Sequence, residues 1–202
     1  MVKAILDGRK TQTRRPIKPQ PPEFAKEVFY WVNPPNIPKE HCSDIGLYYR
    51  YSGGLVFHKR CPFGEIEDKL WIRETFLYHC DPFMVDPRVH YKADNSDKRV
   101  DRLPDGVIVH NWEHPENYKW RPSIHMPRWA SRILLEITNI RVQRIQEITN
   151  GEVIDEGFGK NEVLAGETRF TWFVKLWNST NSNFNLWHFN PWVWVLEFKR
   201  IK

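Results

Sequence analysis

The chain has 202 residues, 41% of them hydrophobic, with ten Trp, twelve Phe and seven Tyr. That is ample apolar surface for a core and excludes a chain disordered throughout. No apolar run approaches the roughly 20 residues of a bilayer-spanning helix, and the N-terminus lacks the apolar segment of a signal peptide. Three scattered cysteines make no disulfide framework. The expectation is a soluble, cytoplasmic protein with one α+β domain over residues 1–202. A net charge of +5 and a pI near 9.1 favour a polyanionic or phosphate-bearing partner.

Val2, Ile5 and Leu6 share one face of a short opening helix, and Gly8 supplies the left-handed residue that ends it. GRKTQTRR, residues 8–15, then holds four cations, two hydroxyls and no acid. In the first eighteen residues Lys3, Arg9, Lys10, Arg14, Arg15 and Lys18 face only Asp7, which predicts a cationic binding wall for nucleotide or nucleic acid. Between Pro16 and Pro38 seven prolines forbid regular helix, so a surface insertion without a central strand is expected.

Strands are predicted at Leu47 to Tyr51 and Leu55 to Lys59, joined as a hairpin by Ser52-Gly53-Gly54. Gly64 and Asp68 turn the chain into one buried strand from about Lys69 to Tyr78. Residues 81–123 read as a second, loop-rich insertion with strands at Arg88 to Lys92 and Val107 to His110. From Arg132 to Gln146 the apolar alternation changes phase at Thr138-Asn139, as in two strands around a bulge or one long bent strand. Curved sheets and barrels use such strands. Thr149 and Glu152 form a capping box for a short helix ending at Gly157. A second helix, about Glu167 to Ser179, carries a core stripe of Phe170, Phe173, Val174 and Trp177. A final strand runs from Trp192 to Lys199.

Several of these pieces in order resemble the ASCH family of PUA-like β-barrels, particularly its phage-encoded members. They are GRKTQTRR with Gly8, Lys10 and Arg15 on a G-x-K-x-x-x-x-R frame, PFGEIEDKLWIRE, WRPSIHMPRWASRI, EITNIRVQRIQEI running into an acidic helix, and WVWVLEFKR. The resemblance implies a small PUA-like barrel with flanking helices and long loop insertions, holding RNA or a modified nucleoside. Some small members are amidohydrolases that deacylate N4-acetylcytidine with a Lys, a Thr three residues later and a Glu on the helix after the long strand. Here those positions are Lys10, Thr13 and Glu156. Many members carry Glu where this chain has Thr13, which places it nearer the amidohydrolase branch. Members usually have a strand before the first helix; with a start at Met1, either the barrel is one strand short or there is an alternative start. A ribonuclease and a non-catalytic RNA reader are the other functions that the resemblance allows.

Amide hydrolysis needs a nucleophile, a proton shuttle and a donor for the oxyanion. Thr13 can attack if Lys10 is neutral, which burial and the neighbouring Arg9, Arg14 and Arg15 would promote. Alternatively Glu156 holds Lys10 charged and itself serves as base towards Thr13 or a water. The residues leave both assignments open. Arg9, Arg14 and Arg15 are expected to bind substrate. His125 and Trp129 either line the cleft, where bases stack on aromatics, or belong to a rigid buried loop. Arg73 and Glu74 are either a cleft cation and acid or a strand-end ion pair. The groups His41-Cys42, His58 with Cys61, and His79-Cys80 lack the spacing of a dense zinc site, so neither metal nor cofactor is expected.

Overall fold

The computed structural model describes residues 1–23, 25, 27–31, 46–51, 54–80, 87–101, 103, 110–111, 119–159, 168–182 and 186–201. The architecture is mixed helix and sheet, mostly strands, with a sheet curled into half a barrel and few helices. No described helix is long and apolar enough to cross a membrane. Contacts divide the chain into two compact units: residues 1, 3–68 and 136–199, and residues 2, 69–135 and 200–202.

In the first unit, helix α1 (Val2–Leu6) ends as expected at Gly8, with φ +72°. Arg9 N–H donates to the Ala4 carbonyl at 2.9 Å and Gly8 N–H to that of Ile5 at 3.0 Å, the paired closure of a Schellman motif. The basic run then enters a strand that no sequence signal announced. Strand β1 (Gln12–Pro16) pairs antiparallel with the last strand, Trp192–Arg200, from Gln12 opposite Glu197 to Pro16 opposite Val193. Alternation buries Gln12 and Arg14, leaves Thr13 half-buried and exposes Arg15.

The Pro-rich stretch is not wholly a surface excursion. Ile17 is fully buried, and strand β2 (Glu27–Trp31) forms inside it where EVFYW offers a run of β-favouring residues. β2 is the edge of a three-stranded antiparallel sheet with β3 (Gly46–Tyr51) and β4 (Gly54–Lys59), so among the described residues no central strand crosses the stretch. The predicted hairpin is therefore present, with its turn at residues 52–53 outside the described residues, as are Pro34, Pro35 and Pro38.

In the second unit, the strand expected from Lys69 to Tyr78 is broken into β5 (Lys69–Trp71) and β6 (Phe76–Cys80). Between them Ile72 N–H donates to the Ile133 carbonyl at 3.0 Å, and the Glu74 N–H points at the Met126 sulfur, so these groups are lost to a continuous ladder. β6 lies beside β7 (Arg88–Tyr91), and β7 beside β8 (Ser96–Arg99), in antiparallel register. A short β9 (His110–Asn111) runs parallel to β6; the rest of the strand expected there, residues 107–109, is outside the described residues. Phe76, Tyr78, Val89, Tyr91, Met126 and Ala130 form this unit's core.

Strand β10 (Leu134–Arg144) is one long strand starting in the second unit and continuing in the first. Its buried positions pass from Leu135 and Ile137 to Ile140, the change of phase expected at Thr138-Asn139. Helix α2 (Asn150–Asp155) has the Thr149–Glu152 capping box and stops at Gly157, with φ +100°. Helix α3 (Arg169–Thr180) buries Phe173 and Trp177 against Ile145, Ile148, Val153, Val193 and Val195. Phe170 does not join that stripe: it is exposed and meets Trp187 edge-on. Strand β11 (Trp192–Arg200) lies between β1 and β10, buried at Val193 through Leu196.

Candidate active site

Where β1 begins, the chain closes on the end of α2. Lys10 and Glu156 form an isolated antiparallel bridge through their backbones, and their side chains meet as well. Lys10 Nζ donates to Glu156 Oε2 at 2.7 Å, to the Glu156 carbonyl at 2.8 Å and to the Gln12 carbonyl at 2.7 Å. Lys10 is 5% exposed and Glu156 6%. Burial pulls the Lys10 ammonium below its ordinary range, while Glu156 opposes the fall. Three acceptors around one nitrogen match the three donors of an ammonium, so the geometry favours the charged form.

Arg14 follows Lys10 on the same face. Its Nη1 donates to Gln12 Oε1 at 2.6 Å and Glu156 Oε1 at 3.0 Å, so each Glu156 oxygen holds one cation. Arg14 Nη2 lies 3.0 Å from Glu152 Oε1 without hydrogen-bond alignment, and Nε has no acceptor among the described residues. Burial lowers the Arg14 guanidinium, with Glu156 and Glu152 opposing. Arg141 then bridges Glu152 and Glu197, and Gln12 Nε2 donates to Glu197 at 3.2 Å. The result is an ionic chain, Lys10–Glu156–Arg14–Glu152–Arg141–Glu197, in which cations and carboxylates alternate.

This changes the reading of the basic run. Strand parity and acids from distant sequence neutralise Lys10 and Arg14 inside the unit, so they are no part of a solvent-facing cationic wall. Arg9 is half-buried and spends its Nη1 on the Gly157 carbonyl at 2.8 Å and its Nη2 on Asp7 at 3.1 Å. Arg15 alone of the expected substrate-binding cations is exposed on β1.

Thr13 stands apart from the pair. It lies between Gln12 and Arg14 in the alternation and opposite Leu196, so its side chain leaves the strand on the other face. Its hydroxyl has no hydrogen bond among the described residues. The structure thus brings Lys10 and Glu156 together with Arg14, expected as a cation beside Lys10 and a substrate contact but found as an ion-pair partner of Glu156, and adds Gln12 and Glu152, which the sequence did not mark. The Thr149–Glu152 capping box was the one signal that α2 would turn a carboxylate towards its own N-terminus.

The other expected site residues fall in the second unit. Glu74, 1% exposed, pairs not with Arg73 but with Arg132: Arg132 Nε donates to Glu74 Oε1 at 2.9 Å and Nη2 to Oε2 at 2.7 Å. Arg132 also donates to Asp94 and covers the Tyr91 ring at 4.1 Å, which makes Glu74 an anchored core acid rather than an open cleft acid. Arg73 is exposed, reaches the Ile124 carbonyl at 3.2 Å and covers the Trp71 ring at 4.7 Å. His125 and Trp129 are both exposed, contrary to a buried loop. Trp129 stacks on Tyr78 with ring centroids 5.8 Å apart, and Arg121 covers the same Tyr78 ring at 5.0 Å. Of the cysteines, Cys61 is half-buried and free, its thiol pushed up to about 11 by burial. His41 and Cys42 lie outside the described residues.

No family model, no curated protein and no solved structure matches the chain.

Proposed function

We propose that this chain is a PUA-like amidohydrolase that removes the acyl group from the exocyclic amine of a modified nucleoside such as N4-acetylcytidine. The observation that carries the reading is the buried contact of Lys10 Nζ with Glu156 Oε2 at 2.7 Å, made across 146 residues of sequence. A charged lysine beside a carboxylate divides the labour that amide hydrolysis needs. When substrate and water enter, Glu156 takes a proton from water, the water oxygen bonds to the acyl carbon, and Lys10 exchanges its bond to the Gln12 carbonyl for one to the oxyanion that forms. Collapse of that intermediate breaks the C–N bond, and Glu156 returns the proton to the departing amine. Thr13, on the other face of β1, takes no part in the attack in this scheme, which uses water as the nucleophile.

The test is release of cytidine from N4-acetylcytidine by wild type, Lys10→Ala, Glu156→Gln and Thr13→Ala. Loss of nearly all turnover in the first two, with a smaller loss in Thr13→Ala, supports the scheme; loss as severe in Thr13→Ala restores it as the nucleophile. No turnover by folded wild type on N4-acylated cytidines sinks the enzymatic reading. A non-catalytic RNA reader is the second reading, favoured by the exposed Trp129 stacked on Tyr78. Salt-sensitive RNA binding that falls with Trp129→Ala and Arg15→Ala, without turnover, would establish it.

A further inference from the structure

In the second unit, three potential metal ligands meet on neighbouring strands, each brought by a different one: His79 on β6, His90 on β7 and Asp97 on β8. Register explains the meeting. His90 lies directly opposite Asp97, and His79 is two residues along β6 from Leu77, the partner of His90, so both histidines leave the sheet on one face. His79 Nε2 is 2.9 Å and His90 Nδ1 is 2.6 Å from the same oxygen, Asp97 Oδ1, and all three donor atoms lie within 4.8 Å of one another.

We infer that His79, His90 and Asp97 form a binding site for a divalent transition-metal ion of the Zn²⁺ class. Two imidazoles and a carboxylate are a donor set that first-row ions take, with Zn–N and Zn–O bonds of about 2.0–2.2 Å. Donors at that range around a tetrahedral ion stand about 3.3 Å apart, so Asp97 Oδ1 and the two ring nitrogens, now at hydrogen-bond distances of 2.6 and 2.9 Å, would part by about half an ångström to admit it. Asp97 Oδ1 is the shared vertex, and each ring would turn an unprotonated nitrogen to the ion while keeping one proton on its other nitrogen. With side-chain exposures of 4%, 14% and 17% for His79, His90 and Asp97, the site is largely shielded yet open on the His90 and Asp97 side. Trp120 lies against His90, with centroids 5.5 Å apart and rings tilted by 31°, and holds that ring in place. Three protein ligands leave a fourth position for water or another donor. This inference is independent of the proposed hydrolase activity, whose residues lie in the other unit.

The test uses the full chain, stripped with chelator and titrated with Zn²⁺ by calorimetry and with Co²⁺ by visible absorption. One equivalent per chain should bind, Co²⁺ should develop ligand-field bands, and the melting temperature should rise with free Zn²⁺ because the ion binds only the folded state. His90→Gln and Asp97→Asn should each weaken Zn²⁺ binding at least tenfold, while His188→Gln, a histidine outside the cluster, should leave it unchanged. Absence of stoichiometric binding by wild type overturns the inference without any variant. So does binding that survives in both folded variants, because the ion would then be held elsewhere. If one variant fails to fold, the other together with the wild-type stoichiometry decides.

Discussion

Replacing Lys10 by Met keeps most of the side-chain length and removes the charge. Glu156 Oε2, the Glu156 carbonyl and the Gln12 carbonyl lose their donor in a place where the Lys10 and Glu156 side chains are only 4% and 5% exposed, so water does not readily replace it. An exposed ion pair contributes about 0–1 kcal/mol, but removing one partner of a buried pair costs about 3–5 kcal/mol. Arg14 still holds Glu156 Oε1 at 3.0 Å, which keeps the remaining carboxylate from isolation and sets the expectation at the lower end, about 3 kcal/mol. Urea unfolding followed by both tryptophan fluorescence and far-ultraviolet circular dichroism measures it, with the midpoint falling at an unchanged slope. The double variant Lys10→Met, Glu156→Gln should lose less than the sum of the single changes, because the second removes the charge that the first stranded. A loss below about 1 kcal/mol in Lys10→Met would put the pair in the class of exposed bridges and refute the reasoning.

Gly157→Ala should destabilise by about 1–3 kcal/mol, since the residue sits in a left-handed conformation and a new Cβ would come 3.0 Å from Ala4 Cβ and 3.1 Å from Lys10 Cβ; a neutral result in thermal melts would contradict that packing. Glu74→Gln strands the buried side of Arg132 and should cost about 3 kcal/mol by urea titration, whereas Arg73→Ala, whose residue is exposed, should stay within about 0.5 kcal/mol. Asp94 is held down to about 2, chiefly by its hydrogen bonds from Arg132. The folded value lies below the unfolded one of about 3.9, so its contribution is complete above pH about 4 and lost as the pH falls towards about 2. Melting temperatures of wild type and Asp94→Asn should therefore converge across that window, and parallel curves would show that the ion pair contributes nothing.

Features set by neighbours in sequence were legible before the structure. The Thr149–Glu152 box, the left-handed Gly8 and Gly157, the phase change at Thr138-Asn139 and the strand at Trp192 each depend on a few adjacent residues, and all are present. Features set by pairing between distant segments were not. GRKTQTRR looked like a charged wall because its neutralising acids, Glu152 and Glu156, lie more than a hundred residues away, and only strand parity turns Lys10 and Arg14 towards them. Likewise WIRET reads as uninterrupted strand until Arg132 takes the Glu74 carboxylate. Strand β8, SDKR, carries no apolar alternation at all; it is an edge strand, recognisable only by its register with β7. The histidine and aspartate cluster escaped for the same reason, since its ligands come one from each of three strands and form no spacing motif.

The pairing of β1 with β11 joins residues 12–16 to residues 193–197, and the Lys10–Glu156 contact closes over nearly as long a loop. During synthesis the first unit therefore waits with its opening strand unpaired until the last strand has left the ribosome, whereas residues 69–135 of the second unit emerge together and find their strand partners close in sequence. Ribosome-bound chains arrested before β11 is made, with residues 69–135 clear of the exit tunnel, should accordingly protect β6–β8 from protease while β1 remains open to cleavage. The same order leaves the basic strand, with its backbone donors and acceptors unpaired, open to other partners until β11 has emerged.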